Sequence, residues 1–288
     1  MTAATARTVE TPSGKDTAYE NFPVGSWLLP ARLRPHVATF YAFARTIDDI
    51  ADNPALAPED KIARLSGFED ALLGRRGDDP AFVKAHRLRA SLAATGVTAQ
   101  HGLDLITAFK QDAVKLRYRD WDDLMGYCML SAAPVGRYLL DLHGGSRRGY
   151  GPSDALCNAL QVINHVQDCQ DDYRQLDRVY LPLDWMKEEG AKVEELDRAQ
   201  TSPALRRVLD RTLDATQRLM VEARRLPAGL RSRRLALESG AIVAIADRLI
   251  ADLRRRDPLA RRVQLDKVGF LACCLSGALG AMLGGRRP

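Results

Sequence analysis

Apolar residues recur along this chain at spacings of three and four, and no alternation of period two survives for more than a few residues. That pattern predicts helices over residues 35–54, 58–73, 80–94, about 99–114, 121–142, a long segment through 161–172, 203–225 and 232–256. Pro35 suits a first helical turn and Pro54 stops one, while Thr98 and Ser153 are placed to cap the helices that follow them. The run Ala133-Pro134-Val135-Gly136 should break the 121–142 helix, either widening a cavity or merely kinking the packing. Residues 174–190, which include Leu181-Pro182, read as a connection ending in a short turn. The uncharged segment 269–285 is too short and too rich in glycine to span a bilayer, so it reads as a final packing helix. Residues 1–18 are polar, with no apolar run for a signal peptide or anchor, and are expected to be a disordered tail. There are no internal repeats, so residues 19–288 are expected to form one all-α domain.

Two of these helices carry more than packing residues. Between Pro35 and Pro54, the residues Tyr41, Arg45, Asp48 and Asp52 fall within about 60° of one another at 100° per residue. One helix face therefore holds a phenol, a guanidinium and two carboxylates one turn apart. A second stripe holds Gln161, Asn164, Asp168 and Asp172, followed by Arg178 and Tyr180. A lone acidic pair on a helix is usually a solvated face. Here the pairs are embedded among Phe40, Phe43 and Ile47 and among Val162, Ile163 and Val166. Like charges one turn apart oppose the helix unless something neutralises them. Two such faces opposed to each other would form a cage for several magnesium ions and a diphosphate.

Composition narrows the alternatives. Hydrophobic residues make up 46% of 288 residues, enough for a sizeable core. The formal charge of +5 suits an anionic substrate or a membrane surface and is too weak to argue for nucleic acid. Cys128, Cys157, Cys169, Cys273 and Cys274 make no zinc-like pattern and read as reduced thiols of a cytoplasmic protein. His165 lies beside the second stripe and reads first as a packed helix residue. The Arg-rich segment 254–262 reads as a solvated linker.

The run Tyr41-x-x-x-Arg45-x-x-Asp48-Asp49-x-x-Asp52 resembles the first aspartate-rich motif of the squalene and phytoene synthases. Gln161-x-x-Asn164-x-x-x-Asp168-x-x-x-Asp172 with Asp177-Arg178-Val179-Tyr180-Leu181-Pro182 resembles their second, and Tyr127 with Val135-Gly136 resembles their mid-chain segment. The resemblance runs from about Asn21 to Lys267. It implies an isoprenoid-synthase helical bundle around an apolar cavity, with both aspartate pairs at its mouth. Carried over residue by residue, it implies that Asp48, Asp52, Asp168 and Asp172 bind Mg2+. Arg45, Arg178, Tyr41 and Tyr180 would contact diphosphate. Gln161 and Asn164 would line the reacting zone, and Phe22, Tyr127, Val135 and Gly136 would border the hydrocarbon.

Two segments depart from the usual family pattern, Asn21-Phe22-Pro23 and Ser131-Ala132-Ala133-Pro134-Val135-Gly136. Both resemble the bacterial hopanoid-pathway branch, which converts presqualene diphosphate and water to hydroxysqualene. In that reading Tyr41, Asn164, Gln161 and Tyr127 are the candidates to hold the attacking water. Other readings stand beside it: a condensing synthase joining two prenyl diphosphates, a helical prenyl-lipid binder without catalysis, and an acidic-faced scaffold. No Gly-rich dinucleotide loop is visible, so no nicotinamide cofactor is expected. Oily substrates and products make peripheral attachment at the inner membrane face, and contact with neighbouring pathway enzymes, reasonable expectations.

Overall fold

A computed structural model describes residues 9–10, 29–77 and 79–283. Thirteen α-helices are found among these residues. They are α1 (Arg34–Ala51), α2 (Pro58–Leu72), α3 (Val83–Thr95), α4 (Gln100–Asp112), α5 (Trp121–Ser131), α6 (Ala133–Leu142) and α7 (Tyr150–Gln167). Then come α8 (Cys169–Leu176), α9 (Leu183–Glu189), α10 (Pro203–Ala223), α11 (Leu226–Gly229), α12 (Arg233–Arg255) and α13 (Lys267–Leu283). No strand forms among the described residues, and one isolated bridge joins Arg117 to Val179. The all-α expectation therefore holds. The expected tail falls almost wholly outside the described residues, as do Asn21, Phe22 and Pro23. Val9 and Glu10 are described: the Val9 carbonyl accepts from Arg64 at 2.9 Å, and Glu10 pairs with Lys84 at 2.8 Å.

The helices sort into two apolar cores. One gathers Val37, Phe40, Phe43 and Ile47 of α1 with Phe68 of α2, Leu88 of α3, Leu105 of α4 and Tyr138 of α6. Phe40 and Tyr138 stack with ring centroids 3.9 Å apart, fixing α1 against α6. The other core gathers Leu156, Val162, Ile163 and Val166 of α7 with Leu209 and Leu213 of α10 and Ile245 and Leu249 of α12. Side chains at helical spacing reach both cores, because α7 packs on α6 as well as on α10 and α12.

Three local expectations change. The 121–142 segment is two helices rather than one bent helix, because Pro134 falls in the first turn of α6, where a missing N–H costs nothing. Gly136 then lets α6 approach α7 closely, since a Cβ there would overlap Ser153 Oγ and Cys157 Sγ. Ser153 is no cap: α7 starts at Tyr150, and Ser153 is buried within its first turn. The 174–190 connection includes a helix of its own, α9, closed by Gly190 in the left-handed conformation.

Candidate active site

The C-terminal half of α1 is the first wall of the site. Arg45 pairs with Asp48 at 3.2 Å and with Asp49 at 2.9 Å, so one guanidinium neutralises two carboxylates on its own helix. At the end of α1, the Ala51 carbonyl accepts from Lys61 Nζ at 2.8 Å and from Arg178 Nη2 at 2.8 Å. Two cations thus meet the negative end of the helix dipole. Arg178 Nη1 also reaches Asp52 at 2.5 Å, tying the second acidic segment to the first.

The second wall is interrupted. The predicted stripe from Gln161 to Asp172 does not lie on one continuous helix, because Asp168 leaves helical geometry (φ −108°, ψ 8°) between α7 and α8. Its backbone still donates to the Asn164 carbonyl at 2.9 Å, and Asp172 N donates to the Asp168 carbonyl at 2.8 Å, so the register of the stripe survives. Aspartate is a poor helix-interior residue and a good cap. Here, though, its carboxylate is taken by Arg262, whose Nη2 lies 3.0 Å from Oδ2 and whose Nε bonds Oδ1. Arg262 belongs to the segment expected to be a solvated linker. Leu259 of that segment and Val263 just after it are buried, and Gln167 donates to the Val263 carbonyl. After α8 the chain turns through Asp177, a non-glycine residue at φ 51°, held by Arg117. That turn aims Arg178 back at α1.

Behind Arg178 lies a buried network. Tyr127 donates to Asp112 at 2.6 Å and Tyr180 approaches the same carboxyl at 3.4 Å. Burial pushes the Asp112 carboxyl up to about 7, although Arg178 and the phenol opposite favour its charged form. His165 stacks on Tyr180 with centroids 3.6 Å apart, and burial followed by the Arg178 charge drives it down to about 3, so it is neutral. It is a packed helix residue, as expected. Burial also lowers Lys61, the cation beside Arg178.

A cavity opens between the two cores. It is lined by Tyr41, Arg45 and Asp48 of α1 and by Gln161 and Asn164 of α7. Most of the remaining lining is apolar, with Phe40, Phe109, Val135, Leu156 and Leu160 among it, while Glu238 and Ser239 also face the cavity and Gly136 borders it. The structure therefore brings Tyr41, Arg45, Asp48, Gln161, Asn164, Val135 and Gly136 to one space, with Asp52 and Arg178 held beside it. Tyr127, expected to border the hydrocarbon, and Tyr180, expected to contact diphosphate, turn instead to Asp112, because a buried phenol needs a hydrogen-bond partner that an apolar wall cannot supply. Phe22 lies outside the described residues. No three carboxylates, histidines or cysteines among the described residues converge on one point, so the expected cage is not assembled by the protein alone. Asp48, Asp52 and Asp168 are instead matched with Arg45, Arg178 and Arg262.

Sequence reasoning missed Asp112, Lys61 and Arg262. Two of them left a signal. Asp112 follows Leu105 and Phe109 on the apolar stripe of α4, and Lys61 precedes Leu65, Phe68 and Leu72 on that of α2. A charge in register with a core stripe must find a partner inside. Arg262 left none, because its partner is far away in the chain.

Comparisons with known proteins agree with this arrangement. Residues 16–268 match the squalene/phytoene synthase family. The chain is 47% identical over 262 residues to hydroxysqualene synthase of Rhodopseudomonas palustris, covering 91% of this chain and 89% of that one. It is 40% identical over 272 residues to hydroxysqualene synthase of Zymomonas mobilis, covering 94% and 91%. The structure is similar to squalene synthase HpnC of Alicyclobacillus acidocaldarius, with a TM-score of 0.71 and 33% identity, over 81% of this chain and 87% of that one. A dehydrosqualene synthase shares the all-α isoprenoid-synthase fold, with a TM-score of 0.76 at 20% identity over 90% of each chain. The opposed polar faces of α1 and α7, the cavity between them and these matches lead to one conclusion: the chain belongs to the squalene/phytoene synthase family.

Proposed function

We propose that this chain is a magnesium-dependent hydroxysqualene synthase, converting presqualene diphosphate and water to hydroxysqualene, diphosphate and a proton. The observation that carries the reading is the meeting of Tyr41, Arg45 and Asp48 with Gln161 and Asn164 in one largely apolar cavity. The identity to relatives of that name over most of the chain supports the choice within the family.

Asp48, Asp52, Asp168 and Asp172 would hold the metal. The donor set fits, since all four are hard oxygen ligands. Magnesium is ordinarily held by one or two carboxylates with substrate phosphates completing its shell, so a cage lacking convergent carboxylates is no obstacle. When bound, magnesium neutralises charge gathering on a departing diphosphate. Arg45 and Arg178 would do the same from the protein side, by exchanging an aspartate partner for a phosphate oxygen, a role their present pairing with Asp48 and Asp52 supports. Breaking the carbon–oxygen bond leaves a cyclopropylcarbinyl cation, which rearranges and opens its three-membered ring inside a cavity whose wall shields it from bulk water. A single water, held by Tyr41, Gln161 or Asn164, then forms the new carbon–oxygen bond and gives up a proton. This makes the enzyme a carbon–oxygen lyase. Tyr127 leaves the list of water-holding candidates, because its hydroxyl serves Asp112.

A second reading keeps the site and changes the reaction. The similarity to a protein named squalene synthase supports condensation of two farnesyl diphosphates, a prenyltransferase activity. Supplying purified protein and magnesium with each substrate separately decides between them, with neutral products read by mass spectrometry. An alcohol one oxygen atom heavier than squalene, from presqualene diphosphate without a nicotinamide cofactor, is the expected result. Consumption of farnesyl diphosphate instead would establish the condensing reading. Asp48→Ala and Asp168→Ala should each lower turnover by about 100-fold or more, with an unchanged circular dichroism spectrum. Full activity in either variant would refute the site.

A further inference from the structure

The last helix is apolar on the wrong side. Around α13, Phe270, Cys273, Gly277 and Ala281 face inward, and Gly277 touches Gly240 of α12 so closely that a Cβ on either would overlap the other's backbone. The large aliphatic residues face out. Val268, Leu271, Leu275, Leu279 and Met282 are 77%, 59%, 64%, 55% and 68% exposed, and Leu283 beside them is 77% exposed. Their steps of three and four set them along one side of a helix of 17 residues, about 25 Å long. A continuous exposed apolar ridge of this kind marks a surface that something covers.

Charge indicates what covers it. Arg255, Arg256, Arg261 and Lys267 are exposed before or at the start of α13, with no carboxylate partner among the described residues. The sequence places Arg286 and Arg287 just after it, and no acidic residue lies between Asp266 and Arg286. Along the sequence the ridge residues are thus bracketed by positive charge on both sides. A second copy is a poor occupant. In either orientation it would bring like charges together, with no acidic residue on the helix to offset them. No described helix is long and apolar enough to cross a membrane, so the helix would lie along a surface rather than through it.

We infer that α13 docks in the plane of an anionic lipid bilayer, its Val268–Met282 ridge among the acyl chains and the flanking arginines and lysine against phosphate headgroups. Docking is fastened to the site by short links. The chain entering α13 is held by the Arg262–Asp168 pair and by the Gln167 bond to Val263, both at the end of α7. This inference stands whether the reaction is hydration or condensation.

The test is flotation of the full chain with phosphatidylglycerol–phosphatidylcholine vesicles and with vesicles of phosphatidylcholine alone. The wild type should float with the first far more than with the second, and less as salt rises. The double variant L275D/L279D should lower binding at least about tenfold, since each aspartate removes a buried leucine from the bilayer. The triple variant R255E/R256E/K267E should lose the preference for anionic vesicles. These residues are exposed, so melting temperature and turnover in detergent should stay at wild-type values in the leucine variant. Wild-type protein that ignores both vesicles, or aspartate variants that bind as well as wild type, would overturn the inference. So would light scattering that shows a dimer split by L275D/L279D together with no vesicle binding. Turnover in detergent is read separately, so failure of docking is distinguishable from failure of the proposed reaction.

Discussion

Two buried acids illustrate how the same residue type meets opposite fates. Asp112 receives Tyr127 and faces Tyr180, while the Oε2 of Glu238, on α12, finds no hydrogen-bond donor although the residue is only 5% exposed. Removing Asp112 strands two phenols beside Arg178, so Asp112→Ala should destabilise the chain by about 2–4 kcal/mol, read from denaturant unfolding. Removing Glu238 strands nothing. It lines the apolar cavity, and Glu238→Leu should raise the melting temperature by about 2–4 °C per kcal/mol of relieved desolvation. Its titration gives a further check. Burial raises the Glu238 carboxyl from 4.5 to about 7 in the folded chain. The unfolded chain releases that proton first, so this residue costs stability progressively as pH rises from its ordinary value to about 7. The melting-temperature gain of Glu238→Gln over wild type should therefore grow across that window and level off above it. A pH-independent difference would show that Glu238 titrates normally.

At the scale of elements, the close crossings depend on absent side chains. Gly240 and Gly277 bring α12 and α13 into backbone contact. Gly277→Val should force α13 off α12, seen as faster proteolysis after Lys267 and a lower melting temperature, while α1 and α7 keep their positions. Helix breaks follow the same local logic. Pro134 opens α6 rather than kinking a longer helix, and Asp168 splits α7 from α8 while keeping the hydrogen-bond register of the acidic stripe. Both breaks fall at residues that oppose a helix interior, so both were marked in the sequence, although their outcome depended on neighbours.

For the whole molecule, apolar packing is what closes the two cores. The walls of the site are set by apolar packing and by arginine–aspartate pairs across it. Chelation by EDTA should therefore leave the melting temperature near its wild-type value while abolishing turnover. Magnesium with inorganic diphosphate should raise it, by about 2.7 kcal/mol of stability at a hundredfold excess over the dissociation constant. Unfolding on chelation would contradict this division between fold and site.

The sequence alone determined the helical class, the two polar stripes and their chemistry, because helical periodicity and residue type are local properties. It placed Tyr41, Arg45, Asp48, Gln161 and Asn164 on faces that the fold does bring to one cavity. What it left undecided was the pairing of distant charges. Arg178 with Asp52, Arg262 with Asp168, and Tyr127 with Asp112 each join residues from separate elements. A side chain's periodic position tells which face it occupies, but the partner across that face belongs to another helix. Only the packing of α1, α4, α7 and the segment after α12 decided which aspartates are held by arginines and which tyrosines face away from the cavity. The same packing left the bulky side of α13 uncovered. Its composition suggests a final packing helix, but its small residues fit α12 and its large ones meet no further surface among the described residues.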